Sequence, residues 1–440
     1  MTECALGKIC RFRTENASTD QLPYLSTESM QPNKMGVIPS EAAPSVGKAR
    51  LFRKGDTLIS NIRPYFKKIW QAEYDGCCSA DVLVFEPHSC DSDYLYWLLS
   101  DDAFFAYMVA SSKGTKMPRG DKDAIMRYKV RRQSATEQRR LAAALNPIRE
   151  LIRISQRTND YLADLLDIQF DNLVENSSDD WEPASLLDIA TYKNGLAMQR
   201  FRPVDGDPGL PVLKIRELGQ GYCGNDAERC RSDIDESVVI HDGDLVFSWS
   251  GTLLLDFWAG GDAGLNQHLF KVTSDAYPSW LFYMWTKRHM KRFIALAKDR
   301  ATTMGHIKRS ALQDSEVLVP PTGTLGKLTE QLQPIVDQMV ELKVQSRKLG
   351  ELRDALLPKL MSGEIDVSKI ELPTPPNNHL SGRTSKLPEL IRVLFLDVLT
   401  LKSSAAQRVF SGLLPNTFLL RTMRLVRIFI ISKRVYLHTE

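Results

Sequence analysis

Two stretches of this 440-residue chain carry the side-chain types that contact with nucleic acid needs. Residues 111–119 offer Lys113, Thr115, Lys116 and Arg119 around Gly114. Residues 299–309 offer Thr302, Thr303, His306, Lys308 and Arg309 around Gly305. Hydroxyls, glycine amides and cations are the groups that hold phosphate. Arginine also grips guanine, and Asn or Gln grips adenine, through paired hydrogen bonds in the major groove. On that chemistry Arg63, Arg119, Asn266, Gln267 and Arg309 are candidate base readers. Lys67, Lys68, Ser250, Thr252 and His268 are candidate contacts beside them. Catalytic patterns are missing. The closest strings to the Asn/Asp-Pro-Pro-aromatic motif of adenine methylation are Val319-Pro320-Pro321-Thr322 and Thr374-Pro375-Pro376-Asn377, and neither fits. No GxxxxGK[ST] phosphate loop occurs. Single histidines such as His88 and His289 read as structural. No catalytic residue, cofactor site or metal site is assigned to the chain.

Composition narrows the class. With 43% hydrophobic residues the chain has material for several cores and is not largely disordered. No apolar run reaches the roughly 18 residues of a membrane span. Residues 1–13 contain no apolar signal region. The seven cysteines include no CxxC pair and no zinc spacing, so they read as reduced thiols in a cytoplasmic protein. The net charge of +3 hides an asymmetry: residues 380–440 carry +7 and the remainder −4. Basic side chains gather in patches at 48–68, 111–132 and 284–309, which suits a partner with arrayed phosphates.

A tandem repeat organises the elements that position these loops. At a shift of 188, Gly55-Asp56 recurs as Gly243-Asp244, Ser60 as Ser248, Trp70 as Trp258 and Gly76 as Gly264. At 187, Tyr96 meets Tyr283, Thr115 meets Thr302, Met117 meets Met304, Ala124 meets Ala311 and Val130 meets Val317. The same shift pairs Asn146-Pro147-Ile148 with Gln333-Pro334-Ile335. Each copy begins with strand-like segments rich in Val, Ile, Leu and Phe, at 56–60, 81–85, 244–248 and 268–272. An aromatic helix follows near 94–99 and 280–285, then the basic loop, then a long helix. Trp70, Trp258, Tyr96 and Tyr283 read as core rather than as stacking platforms.

The long helices show the clearest period. Leu145, Ile148, Ile152, Ser155, Asn159, Leu162, Leu165 and Leu173 trace one seam. Leu332, Ile335, Met339, Leu342, Ser346, Leu349, Leu352, Leu356 and Leu360 trace the other. Asn159 and Ser346 are repeat equivalents that put a polar group on each seam. The expected architecture is α+β: a first recognition domain at 1–133 and a long helix at 134–176, then a second domain at 177–321 and a long helix at 322–363. The two helices would pair as an antiparallel coiled coil.

These residues resemble the specificity subunits of type I restriction-modification systems over about residues 1–370. The resemblance is carried by Gly55-Asp56-Thr57-Leu58-Ile59-Ser60, Ser79-Ala80-Asp81-Val82-Leu83-Val84-Phe85, Gly243-Asp244-Leu245-Val246-Phe247-Ser248 and Leu265-Asn266-Gln267-His268-Leu269-Phe270. The helix ending Leu352-Arg353-Asp354-Ala355-Leu356-Leu357-Pro358-Lys359-Leu360 adds to it. The resemblance implies a non-catalytic subunit that reads a bipartite, asymmetric site in double-stranded DNA, one half per domain. It implies two methyltransferase subunits as partners, recruited largely through the helices, and restriction endonuclease-translocase subunits through the complex. S-adenosylmethionine, ATP and Mg would belong to those partners, and no membrane is implied. A stand-alone methyltransferase or nuclease, or a scaffold that ignores DNA, are the alternatives. The chain departs from the pattern after Ile370: a Pro/Asn-rich linker leads into an apolar, basic segment, 383–440, without repeat counterpart. That segment reads as an out-of-frame extension, with a private helical extension or a membrane-surface binder as the alternatives.

Overall fold

The computed structural model describes residues 3–19, 22–38, 47–177, 179–224, 226–299 and 307–370. The expectation for the C-terminal extension lies outside them. The chain divides into two compact units, Met1–Arg149 with Leu352–Glu440, and Glu150–Glu351.

Each unit holds two small four-stranded sheets of matching design. In the first, Cys10–Phe12, Val82–Pro87, Thr57–Ser60 and Ile69–Gln71 are antiparallel neighbours in that order. In the second, Thr191–Asn194, Leu269–Thr273, Leu245–Ser248 and Leu255–Phe257 repeat that order. The other sheet shares a core of three strands: Gly76–Cys78 or Ala263–Leu265 runs between one parallel and one antiparallel neighbour. The copies differ at the edge. The first adds Asn16–Ser18 beside Lys48–Phe52, and the second adds Arg229–Cys230 beside Leu210–Leu213.

The repeated residues mostly shape the scaffold. Gly55 and Gly243 take left-handed φ angles of 92° and 96°, a turn that glycine adopts without a Cβ clash. The following Asp56 and Asp244 cap those turns, accepting from the Arg53 and His241 amides at 2.8 Å. Ser60 and Ser248 hydrogen-bond the carbonyls of Ile62 and Ser250, each at 3.1 Å, and so fix the loop that follows the strand. Trp70, Trp258, Tyr96 and Tyr283 are buried.

The copies diverge in their aromatic helices. Ser92–Ser100 stops and Asp102–Ala110 restarts, because extended Asp101 ends one helix and its carboxylate caps the next. The equivalent position in the second copy is Arg288, which offers no cap, and Ser279–Asp299 runs on as one helix.

The long helices are Ala135–Glu175 and Thr322–Ser362, 41 residues each. Both start by docking on their own copy at the repeated Asn/Gln-Pro-Ile. Asn146 accepts from Trp97 Nε1 at 2.8 Å and donates to Asp93 at 2.7 Å. Gln333 exchanges hydrogen bonds with Ser279 at 2.8 and 3.1 Å. Each proline lies inside its helix, where it removes a backbone donor and its ring crowds the carbonyl four residues back, at a cost of about 3 kcal/mol.

Each unit therefore contains the opening of one long helix and the closing turns of the other, the order that an antiparallel pair requires. In the second unit, Leu166 and Phe170 of the first helix enter the core, Phe170 edge-on to Trp285 at 5.2 Å. The seam there passes through Leu166 and Phe170 rather than Leu165, which is exposed, because the stripe shifts by one residue as it meets Trp285. Lys287 and Arg288 clasp Asp167 and Asp171. In the first unit, the Lys34 ammonium, 1% exposed, bridges Asp354 at 2.7 Å and Asp102 at 2.8 Å. Arg353 is buried beside Asp354. Burial alone would raise the Asp354 carboxyl; the hydrogen bond and charge of Arg353, with Lys34, outweigh it and hold the group at about 2.

Asp354 thus contributes stability that is present above an unfolded-state pKa of about 3.9 and is lost as pH falls toward 2. Asp354→Asn leaves Arg353 buried without its carboxylate and Lys34 with Asp102 alone. It should cost about 3 kcal/mol at neutral pH, and its stability should change less than wild type's between pH 4 and 2. Denaturant titrations at stepped pH check both statements.

Candidate nucleic-acid interface

In each copy the loop that leaves a central strand is zipped to the loop that precedes a short helix. In the first, Arg63 N–H bonds Pro118 O at 2.9 Å, and Lys113 and Arg119 exchange backbone bonds at 2.9 and 3.0 Å. A bridge from Ile62 to Arg119 closes the pair. In the second, Ile307 N–H bonds Trp249 O at 3.0 Å. The first polar segment singled out by sequence is thus held against a second loop from far away in the chain, and in the second copy Ile307, at the described end of its segment, makes a corresponding contact.

Within the first copy the candidate residues separate by what they touch. Thr115 and Lys116 are exposed. Lys113 is 81% exposed and pairs with Asp121 at 2.6 Å; that hydrogen bond raises its pKa, and it also holds Asp121 at about 2. Arg119 forms a forked pair with Asp81 at 2.8 and 3.2 Å, which raises its pKa and presets the guanidinium plane. Arg63 sits at a left-handed φ of 50°, with its Nε buried and without a partner. Lys67 and Lys68 are tied to the domain itself. Lys67 binds Asp102 at 2.7 Å. Lys68 donates to Thr27 O at 2.8 Å, and burial lowers its pKa.

In the second copy, Ser250 is buried and shares a 3.1 Å hydrogen bond with His268 Nδ1, while Thr252 is exposed. Asn266 is 8% exposed, and its side-chain carbonyl accepts from His268 N–H at 3.2 Å, shaping the turn. Gln267 Nε2 lies 3.4 Å from His268 Nε2. Lys308 is exposed at the start of the short helix Arg309–Gln313. Arg309 reaches Tyr192 O at 3.3 Å. Thr302, Thr303 and His306 lie outside the described residues. Sequence reasoning missed Asp81 and Asp121, the carboxylates that orient Arg119 and Lys113. It also missed Lys34, Asp167 and Asp354, although the 187-residue shift already pairs the last two.

All seven cysteines are free, and burial pushes the Cys78, Cys90 and Cys223 thiols up to about 12, far from reactive thiolates. His289 is half-buried, bonded to Glu316 O at 2.9 Å and lowered in pKa chiefly by burial. Among the described residues no helix is long and apolar enough to cross a membrane, and no cluster of three or more His, Cys, Asp or Glu could hold a metal.

The fold and its loops define a class: a duplicated α+β scaffold with loops that carry polar and basic side chains, and with one long helix after each copy. Comparison with known proteins agrees with the family resemblance. The type I restriction enzyme MjaIX specificity subunit of Methanocaldococcus jannaschii is 23% identical over 310 residues, covering 63% of this chain and 70% of that protein. The EcoBI specificity subunit of Escherichia coli is 23% identical over 193 residues, 42% of this chain and 40% of that protein. Among solved structures, the S subunit from M. genitalium aligns with 82% of this chain and 96% of its own at 14% identity, with a TM-score of 0.43. The HsdS subunit from Thermoanaerobacter tengcongensis aligns with 83% and 97% at 17% identity and a TM-score of 0.32. No family model matches the chain. The chain is similar to type I specificity subunits in sequence.

Placement predicts different outcomes for lysines that look alike in sequence. Lys116→Ala and Lys308→Ala should each weaken binding to any duplex and lower the slope of log affinity against log salt by about one. Lys68→Ala should leave that slope unchanged and lower the melting temperature instead. Fluorescence anisotropy across a salt series, beside thermal unfolding, separates the two.

Proposed function

We propose that this chain is the DNA sequence-specificity subunit of a type I restriction-modification complex. The observation that carries the reading is the duplication itself. Two copies keep the same scaffold and turn caps and dock their long helices at matching positions, while their loops differ in sequence. A scaffold kept in duplicate with unlike loops suits two unlike half-sites. Lys113, Thr115, Lys116 and Arg119 in the first copy, with Thr252, Lys308 and Arg309 in the second, are the described loop candidates exposed for phosphate and base contacts. Arg119, held in plane by Asp81, has the geometry for guanine.

The long helices would set the distance between half-sites, which must face one side of the duplex. They would also recruit two methyltransferase subunits, and through them the endonuclease-translocase subunits. Methyl transfer from S-adenosylmethionine and ATP- and Mg-dependent cleavage would belong to those partners; this chain's part is binding and positioning.

Adenine methylation mapped across a host genome tests this. Expression of the chain with its methyltransferase subunit should create a split, gapped, asymmetric motif that is absent without the chain. The same motif should appear when residues 372–440 are removed. No new motif with either version would overturn the reading. Four residues inserted in each long helix add about 6 Å, at 1.5 Å per residue. The insertion should widen the gap by about one to two base pairs while both half-sites stay the same. An unchanged gap would rule out the helices as the ruler.

A further inference from the structure

The zipped loops of the first copy also display apolar side chains that hydrogen-bond readout does not use. Among the described residues, Tyr65 is 50% exposed, Met117 43% and Val109 39%, three of the five large apolar side chains that the first unit exposes. Tyr65 and Met117 belong to one neighbourhood. Arg63 N–H bonds Pro118 O, which brings the turn Pro64–Phe66 to the loop that carries Met117. The same turn packs on Asp102–Ala110, the helix that ends at Val109 and Ala110. Exposed Lys113 and Lys116 flank the group.

Tyr65 is held outward at some cost. The residues on either side of its turn, Arg63 and Lys67, both take left-handed φ angles, 50° and 51°, that non-glycine residues avoid. Pro64 is buried beneath it, and the Phe66 ring packs against it at 4.7 Å. Such strain persists only where the surroundings over-determine it. Here Lys67 is pinned by Asp102, and Asn33 N–H bonds Phe66 O at 2.8 Å.

We propose that Tyr65 and Met117 form a methyl-sensing surface that takes the C5-methyl group of thymine in the major groove. This rests on the DNA-recognition reading and extends it from hydrogen bonding to apolar readout. An apolar group rimmed by cations fits a base edge with a methyl, flanked by phosphates. Arg119 and the lysines supply position and charge. Tyr65 and Met117 supply discrimination between thymine and a base that lacks the methyl.

The test uses the full chain in complex with its methyltransferase subunit and duplexes carrying the gapped methylated motif. Each thymine of both half-sites is replaced singly by deoxyuridine, which keeps every hydrogen bond and removes only the methyl. In one half-site at least one replacement should weaken binding about four-fold, the worth of one buried methyl group. In the double variant Tyr65→Ala/Met117→Ala that ratio should fall to one, while ratios in the other half-site stay as in wild type. The wild-type arm stands alone should the variant unfold. Equal binding of thymine and uracil duplexes in both half-sites, or a ratio that survives the double variant, overturns the inference. Failure to bind any gapped site overturns the DNA-recognition reading and this inference with it.

Discussion

A helix of 41 residues cannot be held by the domain that precedes it alone; its far end must bury against something else. In both units a carboxylate at the same repeat position, Asp167 or Asp354, meets a lysine of the globular copy at that end. The basic partners are not equivalent. Lys287 comes from the uninterrupted aromatic helix of the second copy, whereas Lys34 comes from an early loop of the first. The helix end thus retains its anion, and each copy supplies the cation from whatever element reaches it. The first-copy pair is the deeper one, since Lys34 is almost inaccessible and Arg353 is buried with it.

That anchorage also bears on the loops. Asp102, the second partner of Lys34, binds Lys67 as well, and Lys67 ends the strained turn that presents Tyr65. Lys34 N–H in turn bonds Lys67 O at 3.0 Å. Helix docking and loop geometry in the first unit are therefore parts of one hydrogen-bonded network.

Much of this could be read from sequence. Repeat matches found Gly55, Ser60, Trp70 and their counterparts, and the structure gives each a local reason: a left-handed turn, a loop clasp, a buried ring. Strands expected at 56–60, 81–85, 244–248 and 268–272 appear as Thr57–Ser60, Val82–Pro87, Leu245–Ser248 and Leu269–Thr273. Periodicity revealed the long helices because 3-4 spacing survives for many turns. It misplaced Leu165, since a heptad template cannot register a shift imposed by Trp285 across the interface.

The sequence by itself determined the duplication, the class of its elements and the segments where cations and hydroxyls gather. These depend on residue type and local spacing, which a chain carries before it folds. Only the tertiary structure decided which of those side chains are free to meet a ligand. Lys116 and Lys68 are both loop lysines, yet one is exposed and the other is spent on Thr27 O. Arg119 and Asp81 are 38 positions apart, Lys34 and Asp354 are 320 apart, and neither pairing has a local signature. A charge is available or committed according to the partner that folding sets beside it, and no spacing in the chain encodes that partner.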